Sequence, residues 1–426
     1  MQRRKFIRQS GILSLGISVS SYIIGCTKKK KPNILVLGGG EDMDINIGSF
    51  IHTSGLLHVL ENDFPESKII LWKKSKNGTT ESLLKKYFPS VDIVCGFIDK
   101  ECNIEGTQLN RAVDKSDILI QVSGAGVAVN YLQAWVKKVP QKPFGIFGVT
   151  IENISDSLFS LLNKAAFIFT RETASMDILY QARITCRNIE FVPDTAFRTN
   201  IFDDEKAIQF MHDNGIEAEK FICVIPRLRR TPYWEIFPDT SSYSQNKIEE
   251  FTALNNQWKE SDHAKLREVI ITWVRQTKQK VVLCPEMIYE TELFDELLFN
   301  PLPDDVKAHI VKHDYWFADE AMSLYSRAKA MVSFECHSPV MSLACGRPAF
   351  YLRQPQDTIK GQMFRDLGLS DWIFEIEQTT GQVITEELMS VCEDYNHALH
   401  KVADAMTMVG KYYQKVVATV TKIMEE

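Results

Sequence analysis

A histidine stands where a predicted strand meets a predicted helix near residue 337. Residues 330–334 are typical of a buried strand, and Pro339 to Ala344 predicts a helix. His337 lies at the junction, with Glu335 two residues before it. Because an imidazole titrates near neutral pH, this placement indicates acid/base catalysis or contact with an anion. The alternative is a packed histidine that only makes structural hydrogen bonds.

Three arginines follow another predicted strand, Phe221–Ile225. They are Arg227, Arg229 and Arg230, within the run Pro-Arg-Leu-Arg-Arg. An ordinary solvated face explains them poorly, whereas guanidinium groups suit two-point binding of a carboxylate or phosphate. The run therefore predicts an anion site, and Glu286, which follows the strand 280–284, is placed in the same cleft.

Glycines after the first predicted strand form a further candidate site. Gly38, Gly39 and Gly40 follow the strand 33–37, and Asn46-Ile47-Gly48 precedes a helix that begins near Ser49. Glycines let a backbone approach a ligand closely, and a helix N-terminus offers free N–H groups to an anion. A tight strand-to-helix turn is the structural alternative. The spacing does not match GxGxxG, so a dinucleotide site is not expected.

The elements that would position these residues alternate between strand and helix. Such alternation predicts two parallel, doubly wound α/β halves that face each other across a cleft. The predicted strands are 33–37, 68–72, 91–94, 118–122, 144–149, 166–169 and 189–192, then 221–225, 280–284, 309–311, 330–334 and 349–352. The domains follow as 33–200 and 216–375, with closing helices over 380–426. The polar residues 239–264 are interpreted as a surface insertion before a helix from Ala264 to Gln279.

The first 26 residues predict an export signal rather than a part of the fold. A basic head with Arg3-Arg4 resembles a twin-arginine signal, and the end Ile24-Gly25-Cys26 resembles a lipobox. We expect lipid on Cys26, a basic tether over 27–32, and a body on the periplasmic side of the membrane. An ordinary membrane-anchoring helix is the alternative.

Composition excludes some classes of partner. The formal net charge of −6 lacks the basic footprint of a nucleic-acid binder. The eight cysteines beyond Cys26 form no CxxC pair and are interpreted as free buried thiols. No zinc-like spacing of Cys and His occurs, and we expect neither a metal nor a cofactor.

The chain resembles the polysaccharide pyruvyl transferase family. The stretches that carry the resemblance, in the family's order, are 46–48, 122–126, 143–148, 169–175, 193–197, the Arg227 strand, His337-Ser338 through Gly346-Arg347-Pro348, Lys360 and 367–369. The resemblance implies a GT-B-like fold and transfer of pyruvyl from phosphoenolpyruvate to a sugar as a ketal. With it, we assign His337 and Glu335 as catalytic residues. Donor binding is assigned to Arg227, Arg229, Arg230, Gly39, Gly124 and Lys360, and acceptor binding to Glu286 and Asn46.

Two features depart from the family's pattern. The family usually has Arg-x-His where this chain has Glu335-Cys336-His337. A carboxylate there would repel an anionic donor, unless Glu335 is a base for the acceptor or the partner of a nearby arginine. Phosphoenolpyruvate is moreover cytoplasmic, whereas the body is predicted outside. We therefore expect a transferase that takes phosphoenolpyruvate or a related anionic donor to a cell-envelope glycan; the alternative is a non-catalytic glycan-binding lipoprotein.

Overall fold

The computed structural model describes residues 31–74, 78–238 and 242–425. The predicted export signal with Cys26 and most of the tether 27–32 lie outside the described residues. No helix in the described ranges is long and apolar enough to cross a membrane.

The first half of the chain builds a seven-stranded parallel sheet. Its strands are β1 (Asn33–Gly38), β2 (Lys68–Lys73), β3 (Asp92–Cys95), β4 (Ile118–Gln121), β5 (Phe144–Val149), β6 (Phe167–Thr170) and β7 (Ile189–Phe191), in the order β3-β2-β1-β4-β5-β6-β7. Its helices are α1 (Ile47–Asp63), α2 (Gly78–Tyr87), α3 (Thr107–Lys115), α4 (Val129–Lys138), α5 (Asp156–Leu162) and α6 (Thr173–Gln181). Apolar residues fill both faces of β1, as expected for a strand covered by helices on both sides.

A second parallel sheet follows α7 (Asp204–Asp213). Its six strands are β8 (Phe221–Ile225), β9 (Lys280–Leu283), β10 (Ile310–Lys312), β11 (Ala330–Ser333), β12 (Ala349–Arg353) and β13 (Ile373–Glu375), in the order β10-β9-β8-β11-β12-β13. The helices around it are α8 (Tyr233–Ile236), α9 (Gln245–Thr277), α10 (Glu290–Leu293), α11 (Asp304–Lys307), α12 (Ala318–Tyr325), α13 (His337–Ala344) and α14 (Gln362–Asp366). The predicted fold class, two doubly wound parallel sheets, is confirmed.

Two helices close the chain, as predicted. They are α15 (Gly381–Glu393) and α16 (Tyr395–Glu425). α16 repeats buried apolar residues every three or four positions and returns to the first half, where the Tyr413 hydroxyl donates to the carbonyl of Pro193 at 2.9 Å. The Tyr412 ring also meets Phe191, with centroids 4.7 Å apart.

The predicted insertion over 239–264 is wrong for most of its length. One helix, α9, begins at Gln245 and ends at Thr277, and Lys278 adopts the left-handed conformation that stops it. Much of its first half is exposed, so the polar residues there reflect solvent contact rather than an irregular loop. The three-residue strand β13 was also missed.

Candidate functional site

A cavity of about 380 Å³ lies between the carboxyl ends of the two sheets. The first half contributes the loops after β1 and β4 and the start of α1, and the second half contributes the loops after β8, β9, β11 and β12. Ligands of doubly wound folds bind at this edge. The predicted site residues that line the cavity are Gly39, Asn46, Gly124, Arg227, Glu286, Glu335, His337 and Lys360.

The two halves are joined at the floor of this cavity by backbone hydrogen bonds. Ile47 N donates to the carbonyl of Glu286 at 3.0 Å, and Ile288 N donates to the carbonyl of Ile45 at 2.9 Å. The Asn46 side chain caps α1 by accepting from Gly48 N at 2.8 Å. The first turn of α1 is therefore fixed against the loop that carries Glu286.

His337 is held by Glu286. Its Nδ1 lies 3.0 Å from Glu286 Oε1, and Glu286 Oε2 accepts from Ser338 N at 2.6 Å and from Ser338 Oγ at 2.8 Å. The two hydrogen bonds from Ser338 favour the ionised form of Glu286, although burial raises its pKa. In the tautomer that donates Nδ1–H to this carboxylate, Nε2 is a proton acceptor. Nε2 is buried and makes no hydrogen bond with the described residues. Burial, with His52 and Lys360 nearby, lowers the pKa of His337, so the ring is neutral and suited to act as a base.

A second histidine, which the sequence analysis did not select, faces the first. His52 Nδ1 lies 2.8 Å from Asp194 Oδ1, and its ring meets His337 edge-on with centroids 4.6 Å apart. Arg171 Nη1 donates to the other oxygen of Asp194 at 2.8 Å. Burial alone would raise the pKa of Asp194, but His52 and Arg171 outweigh it and hold the pKa well below its usual range.

No local sequence pattern predicts the pair of His52 and Asp194, because the two residues are 142 positions apart. Arg171 and Asp194 do lie within two stretches, 169–175 and 193–197, that carry the family resemblance. The family resemblance could therefore have identified Arg171 and Asp194 as candidate site residues from the sequence.

His52, Asp194 and His337 place potential metal-ligand atoms within 4.8 Å of one another. The two oxygens of Asp194 are already bound to His52 and Arg171. A cation here would compete with the hydrogen bond between His52 Nδ1 and Asp194 Oδ1.

The close approach of His337 to α1 requires a glycine. A Cβ built on Gly48 would lie 2.5 Å from His337 Nδ1, closer than side chains pack. Gly48 therefore lets the imidazole rest against the first turn of α1. Gly124, in contrast, has nothing within 4 Å of such a Cβ and borders open space.

Arg227 is shared between two carboxyl groups. Its Nε lies 2.8 Å from Glu335 Oε1, and its Nη1 donates to Asp357 Oδ1. The Tyr351 hydroxyl also donates to Asp357, at 2.8 Å. Of the two alternatives that the sequence left open for Glu335, the structure shows the contact with an arginine.

The pKa values of the two carboxyl groups that contact Arg227 are shifted in opposite directions. Burial raises the pKa of Glu335, and Arg227 only partly opposes this. Burial would also raise the pKa of Asp357, but Arg227 and then Lys360 outweigh it and lower the pKa. One guanidinium thus contacts a carboxyl group whose pKa is raised and another whose pKa is lowered.

Arg229 and Arg230 lie outside the cavity, contrary to their predicted placement. Arg229 Nε and Nη2 donate to Asp262 at 2.8 and 2.9 Å, and its guanidinium stacks on Trp258 at 4.0 Å. The Arg230 guanidinium covers the ring of Phe251 at 4.9 Å. All three partners belong to the part of α9 that was predicted to be an insertion, so the missed helix explains the misplaced arginines.

Lys360 lines the cavity with a positive charge that forms no ion pair with the described residues. The residue is 9% exposed, and its Nζ makes no ion pair with any described residue. It is carried by a short helix, 359–361, whose Ile359 N donates to Glu152 of the first half at 3.0 Å. Nearby, Thr173 N and Oγ1 each donate to Asp366 at 2.8 Å. These contacts hold Lys360 over the cavity from both halves.

Glu290 lies behind the cavity and leads to a prediction about pH. It is fully buried, and its Oε2 accepts from the backbone N–H groups of Glu286 and Met287 at 2.6 and 3.0 Å. Burial, then the charges of Glu335 and Glu286, raises its pKa well above the usual value. Its contribution to stability is therefore complete below an unfolded-state pKa of about 4.3 and is lost as the pH rises through the folded-state pKa.

We expect Glu290→Gln, which cannot ionise and keeps an oxygen acceptor, to gain melting temperature relative to the wild type as the pH rises from about 4 to about 8. Melting curves across that range test this. Glu292→Gln, on the exposed side of the same helix, is the matched control and should show no such trend. A constant difference between Glu290→Gln and wild type would show that folding does not raise the pKa of Glu290.

Comparison with known proteins identifies a matching family and a matching fold. The family model described as polysaccharide pyruvyl transferase matches residues 46–354. No curated protein sequence matches the chain.

Solved structures with the same fold are distant in sequence. S. aureus MnaA, solved with UDP, is 12% identical with a TM-score of 0.60, over 92% of this chain and 97% of that one. Anabaena Alr3699/HepE, solved with UDP-glucose, is 12% identical with a TM-score of 0.55, over 92% and 100%. The Neisseria meningitidis UDP-GlcNAc 2-epimerase, solved with UDP-GlcNAc, is 11% identical with a TM-score of 0.56, over 92% and 100%. At these identities the likeness shows the GT-B-like fold alone.

Proposed function

We propose that this chain, which belongs to the polysaccharide pyruvyl transferase family, transfers a pyruvyl group from phosphoenolpyruvate or a related anionic donor to a cell-envelope glycan. The observation that carries the proposal is the pair of imidazoles in the cavity. Each is bound through Nδ1 to a buried carboxyl group, and the rings meet edge-on at 4.6 Å.

The chemistry of ketal formation needs groups of this kind. The methylene carbon of the donor (C3) takes a proton, and two acceptor hydroxyls form bonds to the neighbouring carbon (C2) and lose their protons. The bond from C2 to the phosphate oxygen breaks, so inorganic phosphate leaves; of the two hydroxyl protons, one balances the proton added at C3 and the other leaves with the phosphate or passes to solvent. In the proposal, His337 Nε2 contacts the reacting group and accepts a proton from an acceptor hydroxyl. His52, one ring away, is placed to relay or supply a proton.

Charge and backbone geometry support a donor site in the same cavity. Arg227 and Lys360 reach the cavity from the second half, and the glycine loop at Gly39 lines it from the first. Gly39 has φ +68°, a conformation that a side chain would strain. Gly124 borders open space on the same side. In the proposal these groups hold the donor, while the acceptor lies beside the N-terminus of α1, near Asn46 and near the Glu286 that holds His337.

Release of inorganic phosphate from phosphoenolpyruvate, in the presence of hexopyranoside acceptors, tests this function on the full chain. We expect release that depends on the acceptor, and a thermal shift with phosphoenolpyruvate alone because a ligand of the folded state raises the melting temperature. A thermal response to glycans without phosphate release from any donor would instead support a non-catalytic glycan-binding protein.

We also propose that the chain is anchored by lipid on Cys26 on the periplasmic side of the membrane. A single acyl chain binds a membrane only marginally, so the anchor should consist of more than one chain. Cys26→Ala should move the protein from the membrane fraction to the soluble fraction, and Arg3→Lys with Arg4→Lys should leave precursor in the cytoplasm. An unchanged distribution of both variants would contradict the proposal.

A further inference from the structure

Three side chains from separate parts of the chain converge beside the cavity. His52 belongs to α1, Asp194 follows β7, and His337 begins α13. One potential ligand atom from each lies within 4.8 Å of those from the other two, and no other three His, Cys, Asp or Glu residues in the described ranges do so. Two imidazoles and a carboxylate form a donor set that suits transition-metal ions, whereas Mg²⁺ and Ca²⁺ prefer oxygen ligands alone.

The separations of these atoms are close to those around a single ion. Zinc binds nitrogen at about 2.0–2.1 Å and oxygen at about 2.0–2.2 Å, so neighbouring ligands of a tetrahedral ion lie about 3.3 Å apart. His52 Nδ1 and Asp194 Oδ1 are 2.8 Å apart, and the other pairs lie within 4.8 Å, so the observed separations bracket that spacing. A bound ion would replace the proton in the hydrogen bond between His52 and Asp194, and that proton would pass to solvent.

His337 has the free nitrogen that a third ligand needs. Its Nε2 is buried and has no hydrogen-bond partner among the described residues, while its Nδ1 lies 3.0 Å from Glu286 Oε1. Histidine ligands commonly donate their other ring N–H to a carboxylate, which orients the ring and makes the ligating nitrogen more basic. Asp194 is also held by the protein, since Arg171 Nη1 donates to Oδ2 at 2.8 Å and Ala196 N donates to Oδ1 at 2.9 Å.

The charges around these residues permit a dication. The ionisable groups that line the cavity, together with Asp194, comprise five carboxyl groups and four cationic groups besides the two histidines. The carboxyl groups are those of Asp42, Asp194, Glu286, Glu335 and Asp357, and the cationic groups are those of Lys74, Arg171, Arg227 and Lys360. The formal charge is therefore negative, so a cation enters without meeting an excess of positive groups.

We infer that His52, Asp194 and His337 bind one divalent transition-metal ion of the Zn²⁺ type. Three protein ligands leave the fourth position of a tetrahedral ion to water or to a molecule in the cavity. Binding of the ion does not depend on the activity of the protein. Its consequence rests on the proposed function: an ion on Nε2 of His337 prevents this nitrogen from accepting a proton, so the metal-loaded protein should not transfer pyruvyl until the ion is removed.

The test titrates Co²⁺, a spectroscopic substitute for Zn²⁺, into the full chain after a chelator has removed bound metal. We expect one Co²⁺ per chain, with the visible absorption of nitrogen and oxygen ligation and without the ultraviolet band of thiolate ligation. His52→Ala and His337→Ala should each weaken binding by more than about 100-fold, because losing an outer contact alone costs about 10- to 100-fold. His212→Ala removes an exposed histidine beside Asp213 and is the matched control, which should bind Co²⁺ like the wild type.

X-ray absorption of the Zn²⁺-loaded wild type keeps the inference testable if a variant does not fold. We expect two imidazole nitrogens and oxygen at about 2.0–2.2 Å from the ion. Sulfur at about 2.3 Å would place the ion on a cysteine and overturn the inference. Absence of stoichiometric binding by the wild type, or unchanged binding in both folded histidine variants, would overturn it as well.

The outcomes separate this inference from the proposed transfer. Phosphate release that stops with one equivalent of Zn²⁺ and returns with a chelator would support both. Metal binding through the two histidines without phosphate release from phosphoenolpyruvate would support the metal site and contradict the transferase. Phosphate release by a chain that binds no Co²⁺ would overturn the metal site and leave the transferase intact. Undiminished phosphate release by the Zn²⁺-loaded protein would overturn the block at His337.

Discussion

Replacing His337 with alanine should lower turnover by roughly 100- to 10,000-fold, the usual contribution of a positioned acid or base. The loss is expected because His337 lines the cavity and its Nε2 is buried with no hydrogen-bond partner among the described residues. Folding should survive, since Ser338 N and Oγ continue to bind Glu286 after the ring is removed. Turnover is measured as phosphate release, and folding as the melting temperature.

The exposed His212 on α7 provides the control for this experiment. Its side chain is 82% exposed and, within the described ranges, pairs with the neighbouring Asp213 alone, so His212→Ala should match the wild type in both measurements. If His337→Ala keeps wild-type turnover while folded, the imidazole has a packing role and the assigned chemistry is wrong.

The largest expected loss of stability follows from removing Arg171. Its side chain is 1% exposed, and it compensates the fully buried carboxylate of Asp194. Breaking one side of a buried ion pair leaves an uncompensated charge, which typically costs about 3–5 kcal/mol. Arg171→Met should therefore lower the free energy of unfolding by about that amount, measured by chemical denaturation.

A double variant identifies the cause of that loss. Adding Asp194→Asn to Arg171→Met removes the uncompensated buried charge. The double variant should therefore regain part of the stability that the single variant loses. Arg275→Met, which breaks an exposed pair with Asp305, serves as the comparison and should cost no more than about 1 kcal/mol. If Arg171→Met lowers the free energy of unfolding as little as Arg275→Met does, the buried carboxylate of Asp194 does not need the guanidinium of Arg171.

The fold could be predicted because it follows from short-range patterns. Continuous apolar runs such as 33–37 and 221–225 are typical of strands buried on both faces, and their alternation with amphipathic stretches indicates parallel sheets. The first half of α9 escaped prediction because its side chains face solvent on several sides, and polar residues with little periodicity favour a loop.

The candidate site was only partly predictable, because its contacts join distant parts of the chain. Arg227, Glu335 and His337 were selected from their places at strand ends, and the structure puts all three on the cavity. The same reasoning from strand ends placed Arg229 and Arg230 in the cavity, which is wrong. Neighbouring side chains of a loop point in different directions, and these two arginines contact residues of α9, a helix whose first half was not predicted. His52 was missed because it lies inside a largely apolar helix, where a histidine carries no pattern of its own.

The return of α16 to the first sheet has a consequence for how the protein is made. Tyr413 packs on Phe147, and Val409, Val416 and Val420 join the core that contains the first sheet's aromatic residues. During synthesis on the ribosome, the first sheet emerges some 200 residues before the helix that covers it. That apolar face stays open to chaperones or to other nascent chains until α16 has emerged. The core of the amino-terminal half is thus completed only after the whole second sheet has been synthesised.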